Sequence, residues 1–140
     1  ILNSKIITDH LPNLLFNIDK NDHYLAYWRE RKNKQNQQNQ YFAQQARKNL
    51  KTITEYLIQT FPITKIILFG SLVKNKFTET SDIDLAVEGI PPALYFSALA
   101  RVNTLSDHWI DLKPLEDLDR HFLQRVMETG EVIYASEDSE

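Results

Sequence analysis

The chain has 140 residues, 42% of them hydrophobic, and a net charge of −3, enough for one domain with a modest core. It has no cysteine, which excludes disulfides and thiolate metal sites, and no apolar run approaches the ~18 residues of a membrane helix. Asp9, Asn13 and Asn17 interrupt the apolar residues near the start, so no signal peptide is expected there and a cytoplasmic location is the simplest expectation. The first residue is Ile, and residues upstream of it are expected.

Residues 1–19 mix apolar and polar side chains without a clear period and sum to −1. Residues 20–51 carry eight Lys/Arg against Asp22 and Glu30, a balance of +6, whereas residues 52–140 balance at −8. This predicts a basic arm on an acidic body. Within the arm, residues 22–32 read as a helix with Tyr24 and Trp28 on one face, and "NKQNQQNQ" (33–40) as an exposed helix turn or a linker. The arm has three readings: a solvated face, a partner-protein surface or, less expected, a nucleic-acid surface.

From Tyr41 the helical period is clear, with Phe42, Ala46, Leu50, Ile53 and Leu57 on one stripe, and Pro62 should stop the helix near Thr60. "ITKIILF" (63–69) reads as a strand buried on both faces, and "SDIDLAV" (81–87) as one that alternates Ile83, Leu85 and Val87 against Asp82, Asp84 and Ala86. Pro91 and Pro92 can open a helix running to about Leu105. "HWIDLKP" (108–114) alternates again, with Ile110 and Leu112 opposite Trp109, Asp111 and Lys113. A helix over 117–129 should close with Gly130 in the left-handed capping position, followed by the strand "EVIYA" (131–135) and a disordered acidic tail, 136–140. The order predicts α+β, a small sheet covered by helices on one face.

Two weak signals combine into a strong one. A strand followed by Gly70-Ser71 and a helical turn makes a phosphate site, because glycine allows close approach and positive φ while the next amides lack partners. With ten aspartates in the chain, about 0.7 Asp-x-Asp pairs arise by chance, and Asp117-Leu118-Asp119 suits a helix start instead. Asp82 and Asp84 differ in lying on a strand, where i and i+2 share a face at ~6.5–7 Å and two carboxylates repel unless a cation bridges them. Oxygen ligands of this kind suit Mg²⁺ or Mn²⁺. Gly-Ser at a fixed offset before such a pair has a chance of roughly 0.1% by composition. If the strand bearing Asp111 pairs beside 81–87, three carboxylates converge.

Gly70-Ser71-x10-Asp82-x-Asp84 resembles the signature of the DNA polymerase β-like nucleotidyltransferase superfamily. "LFGS", "SDIDLAV" and the later "IDL" look like its minimal nucleotidyltransferase (MNT) branch, over residues 52–135, with 1–51 outside as an N-terminal, largely helical extension. The resemblance implies the fold of that superfamily, a small mixed sheet flanked by helices. It implies transfer of AMP from ATP to a hydroxyl, tyrosine above all, of a HEPN ribonuclease toxin, by an antitoxin that forms a hetero-oligomer with it. It also implies that Asp82 and Asp84 hold two Mg²⁺ ions, that Asp111 completes one of these sites, and that Gly70, Ser71 and Lys74 bind the phosphates. Asn75 stands where the family often has a glycine, and asparagine tolerates the left-handed region. The rivals are an antitoxin that only masks its toxin, and a transferase acting on a small molecule such as an aminoglycoside, which would usually carry a further substrate domain.

Arg101 and His108 have a spacing used by HEPN ribonucleases, but that motif needs a helical bundle and His108 is predicted to open a strand. His10, His23 and His121 have no ligand-like spacing and are expected at the surface.

Overall fold

The computed structural model describes residues 2–137, with side chains from residue 21 onward. The chain divides into two compact units, residues 1–37 and 38–140. Helix α1 (Leu2–Thr60) supplies the first unit and enters the second. It runs through residues 2–19, where the sequence shows no period, and through 33–40, which are therefore helix rather than linker. Glutamine is a good helix former, and four of the seven amides there are Gln. His10 lies outside the residues whose side chains are described.

In the first unit every described side chain is exposed. Tyr27 and Trp28 meet edge to face with centroids 5.8 Å apart, and the Arg31 guanidinium lies over both rings at 5.7 and 5.8 Å. Arg31 also donates to the Tyr27 hydroxyl at 3.1 Å, and Lys34 lies 3.6 Å from Glu30. These are one-turn pairs of the sort that support a helix locally.

In the second unit the stripe of α1 is buried: Ala46, Ile53 and Leu57 completely, Leu50 nearly so. Strands β1 (Lys65–Phe69), β2 (Ile83–Glu88), β3 (Ile110–Pro114) and β4 (Glu131–Ala135) form one sheet in the order β3-β2-β1-β4. β1 pairs antiparallel with β2 and β4, and β2 pairs parallel with β3. Helix α2 (Tyr95–Thr104) follows a turn opened by Pro92, and α3 (Arg120–Thr129) precedes β4.

The helices cover both faces of the sheet, not one. Ile66, Leu68, Leu85 and Leu112 pack with the α1 stripe and with Ala98 and Val102 of α2. The alternate residues Ile67 and Ala86 pack with Leu115 and Val126, joined by Phe122 and Leu123 of α3. A strand apolar on both faces requires two covers, so the composition of β1 already contained this result.

The last helix starts later than 117. Leu115–Asp117 is a 3-10 turn, and Asp119 caps α3 by accepting from the Phe122 amide at 2.9 Å. Gly130 does not take the left-handed capping geometry; its φ is −78°. Its lack of a side chain serves packing, since a Cβ there would lie 2.6 Å from Ile67 Cγ2 and 2.5 Å from the Val126 carbonyl. Of the acidic tail, residues 138–140 lie outside the described residues.

His108 is buried between Phe42 and Phe77, with ring centroids at 6.1 and 4.8 Å, while exposed Arg101 lies 6.0 Å from the Tyr56 ring centroid. The two residues are engaged separately. His23 and His121 are exposed as expected. No helix among the described residues is long and apolar enough to cross a membrane.

Candidate active site

Register builds the site. Phe69, the last residue of β1, is opposite Asp84 of β2, and Asp84 is opposite Asp111 of β3. Directly after Phe69 the chain enters the 3-10 turn Gly70–Leu72. The alternation that buries Ile83, Leu85, Ile110 and Leu112 turns Asp84 and Asp111 to the other face. Asp82 is exposed one residue before β2 begins.

Gly70 has φ +80°, a backbone state that costs other residues strain. A Cβ at this position would overlap Asp84 Oδ2 and lie 3.0 Å from Asp84 Cγ. The glycine therefore lets a carboxylate lie against the turn as well as leaving the turn open to an anion. Lys74 is exposed just beyond it, its amide donating to the Gly70 carbonyl at 3.2 Å. Asn75 adopts φ 57°, the left-handed state expected of it as a glycine replacement.

Asp84 carries the electrostatic signature of the cluster. Burial, then the charges of Asp111 and Asp82, push its pKa up to about 6, and Lys113 opposes them. Hydrogen bonding to the Asp111 carboxyl raises it a little further. Lys113 Nζ lies 3.3 Å from Asp111 Oδ2. An all-oxygen set with excess negative charge fits a hard divalent cation. As arranged, no three acidic or His side chains among the described residues are already placed to hold one. The carboxyls are instead satisfied by each other and by Lys113. Sequence reasoning put Lys113 on the Asp111 face but assigned it no part; the i, i+2 spacing is the signal that could have done so.

Beside the turn, Gln44, Arg47 and Lys48 of α1 face Leu72 and Asn75 across an open groove of about 450 Å³.

The family model described as Polymerase beta, Nucleotidyltransferase matches residues 51–139. The chain belongs to this family. It is 29% identical over 72 residues to MJ1547 of Methanocaldococcus jannaschii, provisionally named a protein adenylyltransferase. That match covers 51% of this chain and 56% of the relative, so the chain spans little more than half of the relative's length. Among solved structures, a chain of a toxin–antitoxin complex with AMP-PNP is similar at a TM-score of 0.57 and 23% identity, covering 62% of this chain and 73% of that one. A chain from the complex of a tri-AMPylated Shewanella oneidensis HEPN toxin with its MNT antitoxin is similar at 0.53 and 22% identity, covering 66% and 74%. The family match together with these structural likenesses gives the sheet and its helices the polymerase β-like nucleotidyltransferase fold.

Proposed function

We propose that this chain is an MNT antitoxin that transfers AMP from ATP to a tyrosine hydroxyl of a HEPN ribonuclease toxin in the same cell. The observation that carries it is the convergence of Gly70, Asp84 and Asp111 at one end of the sheet in a chain of this family. The toxin–antitoxin character of the similar structures, one with AMP-PNP and one with an AMPylated HEPN toxin, supports the choice of nucleotide and acceptor.

In this reading residues 52–135 are the transfer domain, residues 1–51 an extension and 136–140 a tail. The acceptor oxygen attacks the α-phosphorus in line, the bond to the bridging oxygen breaks, and pyrophosphate leaves. Gly70 and Ser71 hold the β- and γ-phosphates through the amides that open a helical turn, with the Ser71 hydroxyl and Lys74 as further donors. Asp82 and Asp84 would hold two Mg²⁺ ions, and Asp111 would complete the site nearer the acceptor. When bound, the ions supply charge neutralisation at the phosphates and acidify the acceptor hydroxyl. Asp84 must be ionised before that state forms. The partial burial of Asp84 strengthens the electrostatics there.

The test is to incubate the protein with ATP, Mg²⁺ and the HEPN-type protein encoded beside it, and to follow the partner's mass. Gain of AMP on a tyrosine supports the reading. A partner silenced with no mass change indicates masking alone, and label on a small acceptor only indicates the third class of enzyme.

A further inference from the structure

We propose that Lys113 is an internal counter-ion that occupies Asp111 until a divalent cation displaces it, and so sets the cation concentration at which the site loads. The inference rests on the metal-dependent reading above. Asp111 and Lys113 are two apart on β3 and therefore share a face, and the parallel register sets them beside Asp84 and Ala86. Lys113 Nζ reaches Asp111 Oδ2 at 3.3 Å, with both side chains a little over one-third exposed. Among the described residues Lys113 is the cation that acts on Asp84, against two carboxylates.

The arrangement explains why the three carboxylates are close yet not posed around an ion. Asp111 is turned to Lys113, and Asp84 to Asp111. Loading must therefore break the Lys113–Asp111 pair. A pair more than one-third exposed is weak enough to yield. Lysine also suits the task, being a compact charge on a flexible stem, where arginine would form a forked, more persistent pair. Once an ion is bound, repulsion drives the ammonium away from Asp111.

The experiment is a Mn²⁺ titration of the whole chain without nucleotide, read by electron paramagnetic resonance of free Mn²⁺. Lys113→Met should bind Mn²⁺ about threefold to fivefold more tightly than wild type, the range for removing a partly exposed pair. Lys113→Arg should bind no more tightly than wild type. Without metal, Lys113→Met should melt lower, and it should gain more than wild type on saturation. Lys113→Gln replaces Met if that variant does not fold. Equal or weaker Mn²⁺ binding by Lys113→Met, with wild type binding normally, overturns the inference and leaves the transfer reading standing. If wild type itself binds no Mn²⁺ above the level of Asp84→Asn, the metal-dependent reading falls and takes this inference with it.

Discussion

The first unit buries none of its described large side chains, whereas the second buries many and also exposes Tyr41, Phe96 and Trp109. In residues 21–37, Tyr24, Leu25, Tyr27 and Trp28 are 48–60% exposed. In residues 38–140, Ile53, Leu57, Ile66, Leu85 and Leu112 are fully buried. Burial of each such residue stabilises the body by about 1.5–3 kcal/mol, whereas the aromatic cluster of the arm adds nothing of the kind. A run of exposed aromatics that adds no buried core is the pattern of a contact surface. Charge divides less cleanly. Of the cations in residues 20–51, Arg47, Lys48 and Lys51 lie in the second unit, and Arg47 pairs with Glu131. Residues 21–37 keep Arg29, Arg31, Lys32 and Lys34 against Asp22 and Glu30. The arm is thus only weakly basic, at +2 over residues 21–37.

The largest expected effects break the body. Asp82→Asn or Asp84→Asn should lower AMP transfer at least ~100-fold, the scale for losing one major electrostatic element of an active site. Melting without Mg²⁺ should be unchanged or higher, since a repulsion is removed. Near-normal transfer by either variant would remove the carboxylates from the mechanism. Ile53→Ala should cost about 2–5 kcal/mol in chemical denaturation, because the site is fully enclosed. Trp28→Ala should stay within about 0.5 kcal/mol, as for most surface changes. Similar losses from the two would erase the distinction between the units.

Next come the turn residues. Gly70→Val should abolish ATP binding in calorimetry, and it should also lower stability, because the new side chain meets Asp84 and φ is +80°. Ser71→Ala should cost only about 1–3 kcal/mol of ATP affinity, the range for a hydrogen bond to a charged group. Unchanged affinity in Gly70→Val excludes the turn as the phosphate site.

A smaller effect concerns pH. Asp84 is raised from 3.8 to about 6 in the folded state, so the folded protein holds this proton more tightly than the unfolded chain. The sign follows: as pH rises from about 4 through 6, stability is lost, with the full cost present above pH 6 and none below pH 4. Asp84→Asn should flatten that part of the curve, and so should saturating Mg²⁺ in wild type. Identical pH–melting curves for wild type and Asp84→Asn between pH 4 and 7 would contradict the raised pKa of Asp84.

How much of this was legible depended on whether a property was local. The alternation in β2 and β3 and the stripe of α1 are local patterns, and each maps onto the observed burial. Gly70 and the Asp82/Asp84 pair stand out in the sequence because their offset is improbable by chance. Other features needed tertiary information. Glycine as a helix stop is a statistical habit, and at Gly130 the missing side chain instead makes room for Ile67, distant in sequence, and the Val126 carbonyl. The role of Gly70 in seating Asp84 depends on the β1–β2 register, which no local pattern states. The continuity of α1 through 33–40 was hidden because the run has no apolar stripe and its three asparagines suit a turn as well as its four glutamines suit a helix.

The smallest expected effect on folding, and the one that bears most directly on the comparison, comes from removing the arm. Deletion of residues 1–37 cuts at the boundary between the units and spares Ala46, Leu50, Ile53 and Leu57. The body should therefore keep its melting temperature within a few degrees, and Asp84→Asn should still alter its pH profile. Partner binding is where the loss should appear. If Tyr24 and Trp28 are anchors, Trp28→Ala alone should weaken binding of the HEPN-type partner by ~2 kcal/mol, about thirtyfold, mainly through faster dissociation. Lys32→Ala and Lys34→Ala should instead act on association, and their effect should fade at high salt. Surface plasmon resonance at two salt concentrations separates the two behaviours. A truncated protein that binds its partner with full affinity at physiological salt makes the arm a solvated face and moves the interface onto the body.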